Sequence, residues 1–104
     1  MIILDTDCLS ILERESGPDF LILSRNLARF RAEDVATTII SFDEDAARIF
    51  QGLKQQKLRV GTMDSRIAAI PLARDATLIS RNLVDFERIP GLTVEDWTRD
   101  AYIN

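Results

Sequence analysis

Four short runs of apolar and β-branched residues divide the chain: Met1 to Leu4, Val35 to Phe42, Ala76 to Ile79 and Leu92 to Val94. Runs of this length and composition suit strands, and the first is apolar throughout, as a strand buried on both faces must be. Between them lie stretches with helical rather than alternating periodicity. Thr6 to about Glu15 reads as a helix. After the break Ser16-Gly17-Pro18 a second helix carries Phe20, Leu23, Leu27 and Phe30 at three- and four-residue steps, a stripe expected to face the core. Asp43 to about Gln56 repeats the pattern with Ala46, Ile49, Phe50 and Leu53. Met63 to about Arg74 forms a further helix, in which Pro71 predicts a kink. Asn82 to Phe86 is a short helix or turn.

Strands separated by helices need crossover connections, so the order β-α-α-β-α-α-β-α-β predicts a mainly parallel sheet. The expected fold is a three-layer α/β/α domain with about four strands. The 104 residues suffice for one such domain, spanning 1–104.

Composition narrows the chemistry. Eleven Arg and two Lys against 17 acidic residues leave a net charge of −4, so the chain has no overall positive field for nucleic acid or an anionic membrane. Contacts to RNA or DNA would have to be local. The absence of histidine removes His-based acid/base catalysis and His-containing zinc sites. Cys8 is the sole thiol, which leaves no disulfide framework or thiolate metal centre. MIILDTD lacks the pattern of a signal peptide, and no apolar run approaches the ~18 residues of a membrane span. A cytoplasmic protein without a membrane segment is the expectation.

Acids recur where a parallel sheet places its functional crevice, beyond the carboxyl ends of the strands. Asp5 follows the first strand, Glu44 the second and Asp85 the third, and Asp64 opens the helix ahead of that third strand. Carboxylates gathered in one crevice repel one another unless a cation compensates them. An oxygen-only donor set favours Mg²⁺ or Mn²⁺, which can activate water and stabilise phosphoryl displacement. Read singly, Asp5 and Asp64 are also good helix caps and Glu44 suits a first helical turn. It is their combination that argues for a site. Arg66, Arg81 and Arg88 are candidate phosphate contacts, and Cys8 and Trp97 read as packing residues.

LDTDCLS (4–10), TTIISFDE (37–44), GTMDSRIAAI (61–70) and SRNLVDF (80–86) together resemble the PIN-domain family, most closely VapC-type ribonuclease toxins. The resemblance implies catalytic roles for Asp5, Glu44, Asp64 and Asp85, with Asp5, Asp64 and Asp85 holding Mg²⁺ or Mn²⁺. It also implies supporting roles for Ser80 and Asn82, RNA as substrate and a small antitoxin protein as partner. Family members usually carry a further helical segment after the second strand; here that strand runs directly into the next helix at Asp43-Glu44. Loss of a covering hairpin should expose apolar surface, so a homodimer through the 20–30 stripe or the helix after Glu44 is expected. Two alternatives stand beside the nuclease. One is a PIN-like interaction module without turnover. The other is an aspartyl phosphotransferase, suggested by Asp5-Thr6-Asp7 but lacking a well-placed lysine.

Overall fold

The computed structural model describes residues 1–31, 34–37 and 42–99, excluding the side chains of residues 36 and 37. The elements follow the predicted order: β1 (Ile2–Leu4), α1 (Thr6–Arg14), α2 (Pro18–Leu27), β2 (Val35–Thr37), α3 (Glu44–Gln55), α4 (Thr62–Arg74), β3 (Thr77–Ile79), α5 (Leu83–Phe86) and β4 (Thr93–Glu95). The expected strand 35–42 is described only through Thr37; residues 38–41 lie outside the described residues, and Phe42 stands outside β2. As expected, Pro71 lies inside a helix that runs on to Arg74, and this proline is buried.

All described strand pairs are parallel, in the order β2-β1-β3-β4. The chain steps from β1 to β2 on one side, then crosses back to β3 on the other. Right-handed crossovers in opposite directions deposit their helices on opposite faces of the sheet. Two separate cores result. Ile2, Leu4 and Ile79 pack with Cys8, Ile11 and Leu23 from α1 and α2. Ile3 and Leu78 face the other way, onto Ala46 and Leu53 of α3, Ala68 to Ile70 of α4, and Phe86 and Ile89. The alternation of Ile2, Ile3 and Leu4 between the two cores explains why β1 is apolar throughout.

Capping fixes where the helices start. Asp5 Oδ1 accepts the Cys8 N–H at 2.8 Å and Asp43 Oδ1 accepts the Ala46 N–H at 2.9 Å. Asp43 also meets Arg74 across 3.4 Å, tying the start of α3 to the end of α4, against which it packs.

The stripes offered as dimer surfaces are largely occupied within the protomer: Leu23 and Leu53 are buried in the two cores, and Ile49 and Phe50 pack against the second. Phe30 departs from the predicted stripe. It lies beyond the end of α2, stacked on Trp97, and is 42% exposed. Helical spacing ceases to determine which way a side chain faces once the helix has stopped.

Candidate functional site

A change of direction in strand order opens a crevice at the carboxyl ends of the two strands that flank it, here β1 and β3. A cleft of about 650 Å³ is found there, lined by residues that include Asp5, Asp64, Asn82 and Asp96. Asp5 follows β1 directly. Its backbone N–H still bonds to the Ile79 carbonyl of β3 at 3.1 Å, so the sheet itself fixes the position of this buried acid. Asp64 enters from the first turn of α4, and Asp85 belongs to α5, which the chain forms just after β3.

The Asn82 side-chain amide stands between the last two acids. Its Nδ2 donates to Asp85 Oδ2 at 3.2 Å and lies 3.5 Å from Asp64 Oδ2. Ser80, fully buried, shapes this turn, since its Oγ accepts the Asn82 N–H at 3.0 Å. Support of Asp5 by Ser80 is what the resemblance implies; the bond at the Ser80 hydroxyl orients the Asn82 backbone. One neutral donor cannot offset two carboxylates. Burial raises the Asp64 pKa above the usual carboxylate value, and the Asp85 and Asp5 charges raise it further. Three of the four predicted acids therefore share one electrostatic environment.

Glu44 does not join them. It is exposed at the start of α3 and lines a separate depression with Ala47, Arg48 and Gln51. Phe42 and Asp43, which directly precede Glu44, belong to no strand, and Asp43 caps α3, so Glu44 opens a helix and does not directly follow a strand.

Among the described residues, no group of three or more Asp, Glu, Cys or His side chains is drawn close enough to hold one metal ion as arranged. The donor chemistry nevertheless fits Mg²⁺ or Mn²⁺. These ions are commonly held by one or two carboxylates with water and substrate phosphate completing the shell, and Asp64 is already destabilised in its charged form by its neighbours. The residues that would hold such an ion are Asp5, Asp64 and Asp85.

Arg81, a candidate phosphate ligand, is used within the protein. Its Nε and Nη2 donate to Asp7 at 2.6 and 2.8 Å, and Nη1 donates to Asp19 at 2.9 Å. The fork joins the starts of α1 and α2 to the turn after β3. Hydrogen bonding to Arg81 holds the Asp7 carboxyl below its usual pKa despite partial burial, so its contribution is present above pH ~4 and is lost as pH falls through the depressed value. Arg81→Ala should lower stability by about 1 kcal/mol, a surface-network effect. Arg81→Lys should recover only part, because an ammonium cannot reproduce the fork. Chemical denaturation at low and high salt checks both, the difference between wild type and Arg81→Ala shrinking with salt. Arg66 lies 4.6 Å over the Phe42 ring, and Arg88 donates to the Arg59 carbonyl at 2.9 Å.

Asp96 was missed at the sequence level. It lines the cleft, and its Oδ1 accepts from the Thr98 N–H and hydroxyl at 2.9 and 2.6 Å, with Arg99 Nε 3.3 Å from Oδ2. The signal was present, since Glu95-Asp96 repeats the pattern of acid after strand. Cys8 is buried, and desolvation, reinforced by Asp5, pushes its thiol pKa upward, which agrees with a packing role.

No family model matches the sequence. Curated relatives do. The chain is 40% identical to Ribonuclease VapC2 of Rickettsia felis over 47 residues, 45% of this chain and 35% of that protein. It is 34% identical to the tRNA(fMet)-specific endonuclease VapC of Salmonella typhimurium over 77 residues, 70% of this chain and 58% of that protein. The chain thus spans about half the length of the curated relatives it matches. Among solved structures, VapBC-1 from nontypeable Haemophilus influenzae aligns with a TM-score of 0.71 at 22% identity, covering 95% of this chain and 100% of that chain. FitAcB from Neisseria gonorrhoeae aligns at 0.72 and 18% identity, over 92% of this chain and 97% of that chain. Likeness at these identities establishes the fold. In sequence the chain is similar to VapC ribonucleases, and in fold it is PIN-type.

Proposed function

We propose that this VapC-like chain is an endoribonuclease that cuts RNA at the cleft between β1 and β3, using Mg²⁺ or Mn²⁺. The observation that carries the reading is the convergence of Asp5, Asp64 and Asp85 on one electrostatic environment at the switch point of the sheet, with the Asp64 pKa raised by burial and by both neighbours. The ribonuclease names of the sequence relatives support RNA as substrate, and tRNA is a reasonable first test.

Within this reading each residue has a distinct task. Asp5, fixed by the sheet and by its cap on α1, supplies the least mobile carboxylate. Asp64 and Asp85 complete the negative field, and Asn82 keeps those two side chains apart at a set spacing. When bound, a divalent cation supplies charge against the phosphate and acidifies a water for attack. Arg81 neutralises Asp7 and Asp19, which would otherwise add their charge to the same cleft.

A partner of small-antitoxin type fits this reading, as the solved neighbours include VapBC-1. A homodimer is part of the same proposal. The exposed apolar residues Leu21, Met63 and Val84 would then contribute, and sedimentation velocity at micromolar concentration should show concentration-dependent association.

One observation favours a second reading, a PIN-like binding module without turnover: Glu44 lies apart from the other three acids. An RNA cleavage assay with added Mn²⁺ and with chelator separates the readings. The nuclease reading requires metal-dependent cutting, and the binding-module reading requires intact RNA under both conditions.

A further inference from the structure

Beside the acidic cleft lies a second one of about 470 Å³, with Asp96 and Arg99 common to both. Its floor is aromatic. The Phe30 and Trp97 rings stack at 4.9 Å between centroids, inclined by 27°. Trp97 is held at side chain and backbone: its indole Nε1 donates to Glu95 Oε1 at 3.1 Å, and Asn26 Nδ2 donates to its main-chain carbonyl at 3.0 Å. Phe30 nevertheless remains 42% exposed, an unusual position for a ring already paired with a fixed partner.

The charges lining it are balanced, Arg29 and Arg99 against Glu95 and Asp96. Such a cleft attracts a phosphate poorly, but it suits an uncharged flat ring that can stack and use polar groups at its edge. We propose that the Phe30–Trp97 shelf stacks one base of single-stranded RNA next to the cleavage site. This inference rests on the ribonuclease reading and adds to it a subsite for the substrate's base. Arg99, exposed and common to the two clefts, stands where the strand would pass from one to the other.

Trp97 is the only tryptophan, so its emission reports on the shelf directly. The experiment titrates the full chain, in chelator, with a short single-stranded RNA and with an abasic ribose-phosphate chain of equal length. The RNA should quench Trp97 emission to saturation, and the abasic chain should bind about fivefold more weakly or worse, without quenching. Phe30→Ala should weaken RNA binding by about fivefold or more. Phe30→Leu keeps the bulk and removes the ring; it should show the same loss, and it decides the matter if circular dichroism finds Phe30→Ala unfolded. Emission unchanged by RNA, equal binding of the two chains, or wild-type binding by Phe30→Leu would overturn the proposal. Quenching by RNA in a chain that cuts nothing with Mn²⁺ would keep the shelf and remove the nuclease. Cleavage by a chain whose Trp97 ignores RNA would do the reverse.

Discussion

Asp64→Asn should abolish metal-dependent RNA cleavage, by about 100-fold or more, while making the metal-free protein more stable at neutral pH. The two effects have one cause. In the folded chain Asp64 has a raised pKa, from burial first and then from Asp85 and Asp5. A carboxyl whose folded pKa lies above its unfolded value binds its proton more tightly in the native state. Its contribution to stability is therefore present at low pH and is lost as pH rises from ~4 through the folded value. Asparagine removes the charge responsible and keeps an oxygen for the Asn82 amide. A purely structural acid would not give a variant that is both more stable and inactive. The check is a cleavage time course with Mn²⁺ beside a urea melt in chelator at pH 5 and pH 8. The stability gap should widen at the higher pH, and a variant that cuts like the wild type would remove Asp64 from the site.

The second large effect separates the two roles of Asp5. Asparagine caps helices about as well as aspartate, so Asp5→Asn should fold normally and retain the bond from the Cys8 N–H. It should still lose cleavage by about 100-fold, because the charge facing any cation has gone. Asp5→Ala removes the cap as well and should cost a further 0.5–2 kcal/mol, at roughly the values measured for lost caps. Thermal melts and cleavage assays on the pair give the answer. If Asp5→Asn remained active and only Asp5→Ala were impaired, Asp5 would be a cap and nothing more.

The fold was largely legible because its signals are local. The apolar runs, the Gly17-Pro18 break and the capping aspartates each act within a few residues of themselves, and their order alone requires crossovers and hence a parallel sheet. The site was legible only in part. Asp5 is one residue beyond β1, so alternation and strand end together locate it. Glu44 looks equivalent in sequence because an apolar run leads up to it, whereas Phe42 lies outside any strand and Asp43 caps the helix that Glu44 opens. Asp19 could not be anticipated, since it meets Arg81 only once α1 and α2 have packed on the sheet. Phe30 was assigned to the core by a helical spacing that the helix does not sustain past Leu27.

The proposed cation site of Asp5, Asp64 and Asp85 can be tested directly. A ligand that binds only the folded state stabilises it in proportion to the logarithm of its concentration once above Kd. Thermal unfolding of the purified chain across a Mn²⁺ titration, with Asp5→Asn and Asp64→Asn alongside, measures this without reference to any substrate. The wild-type melting temperature should climb steadily with millimolar Mn²⁺ and the response should be largely lost in both variants, with the metal-free Asp64→Asn starting above the wild type. A wild-type melting curve indifferent to Mn²⁺ at neutral pH, or variants that respond as the wild type does, would contradict the proposed site.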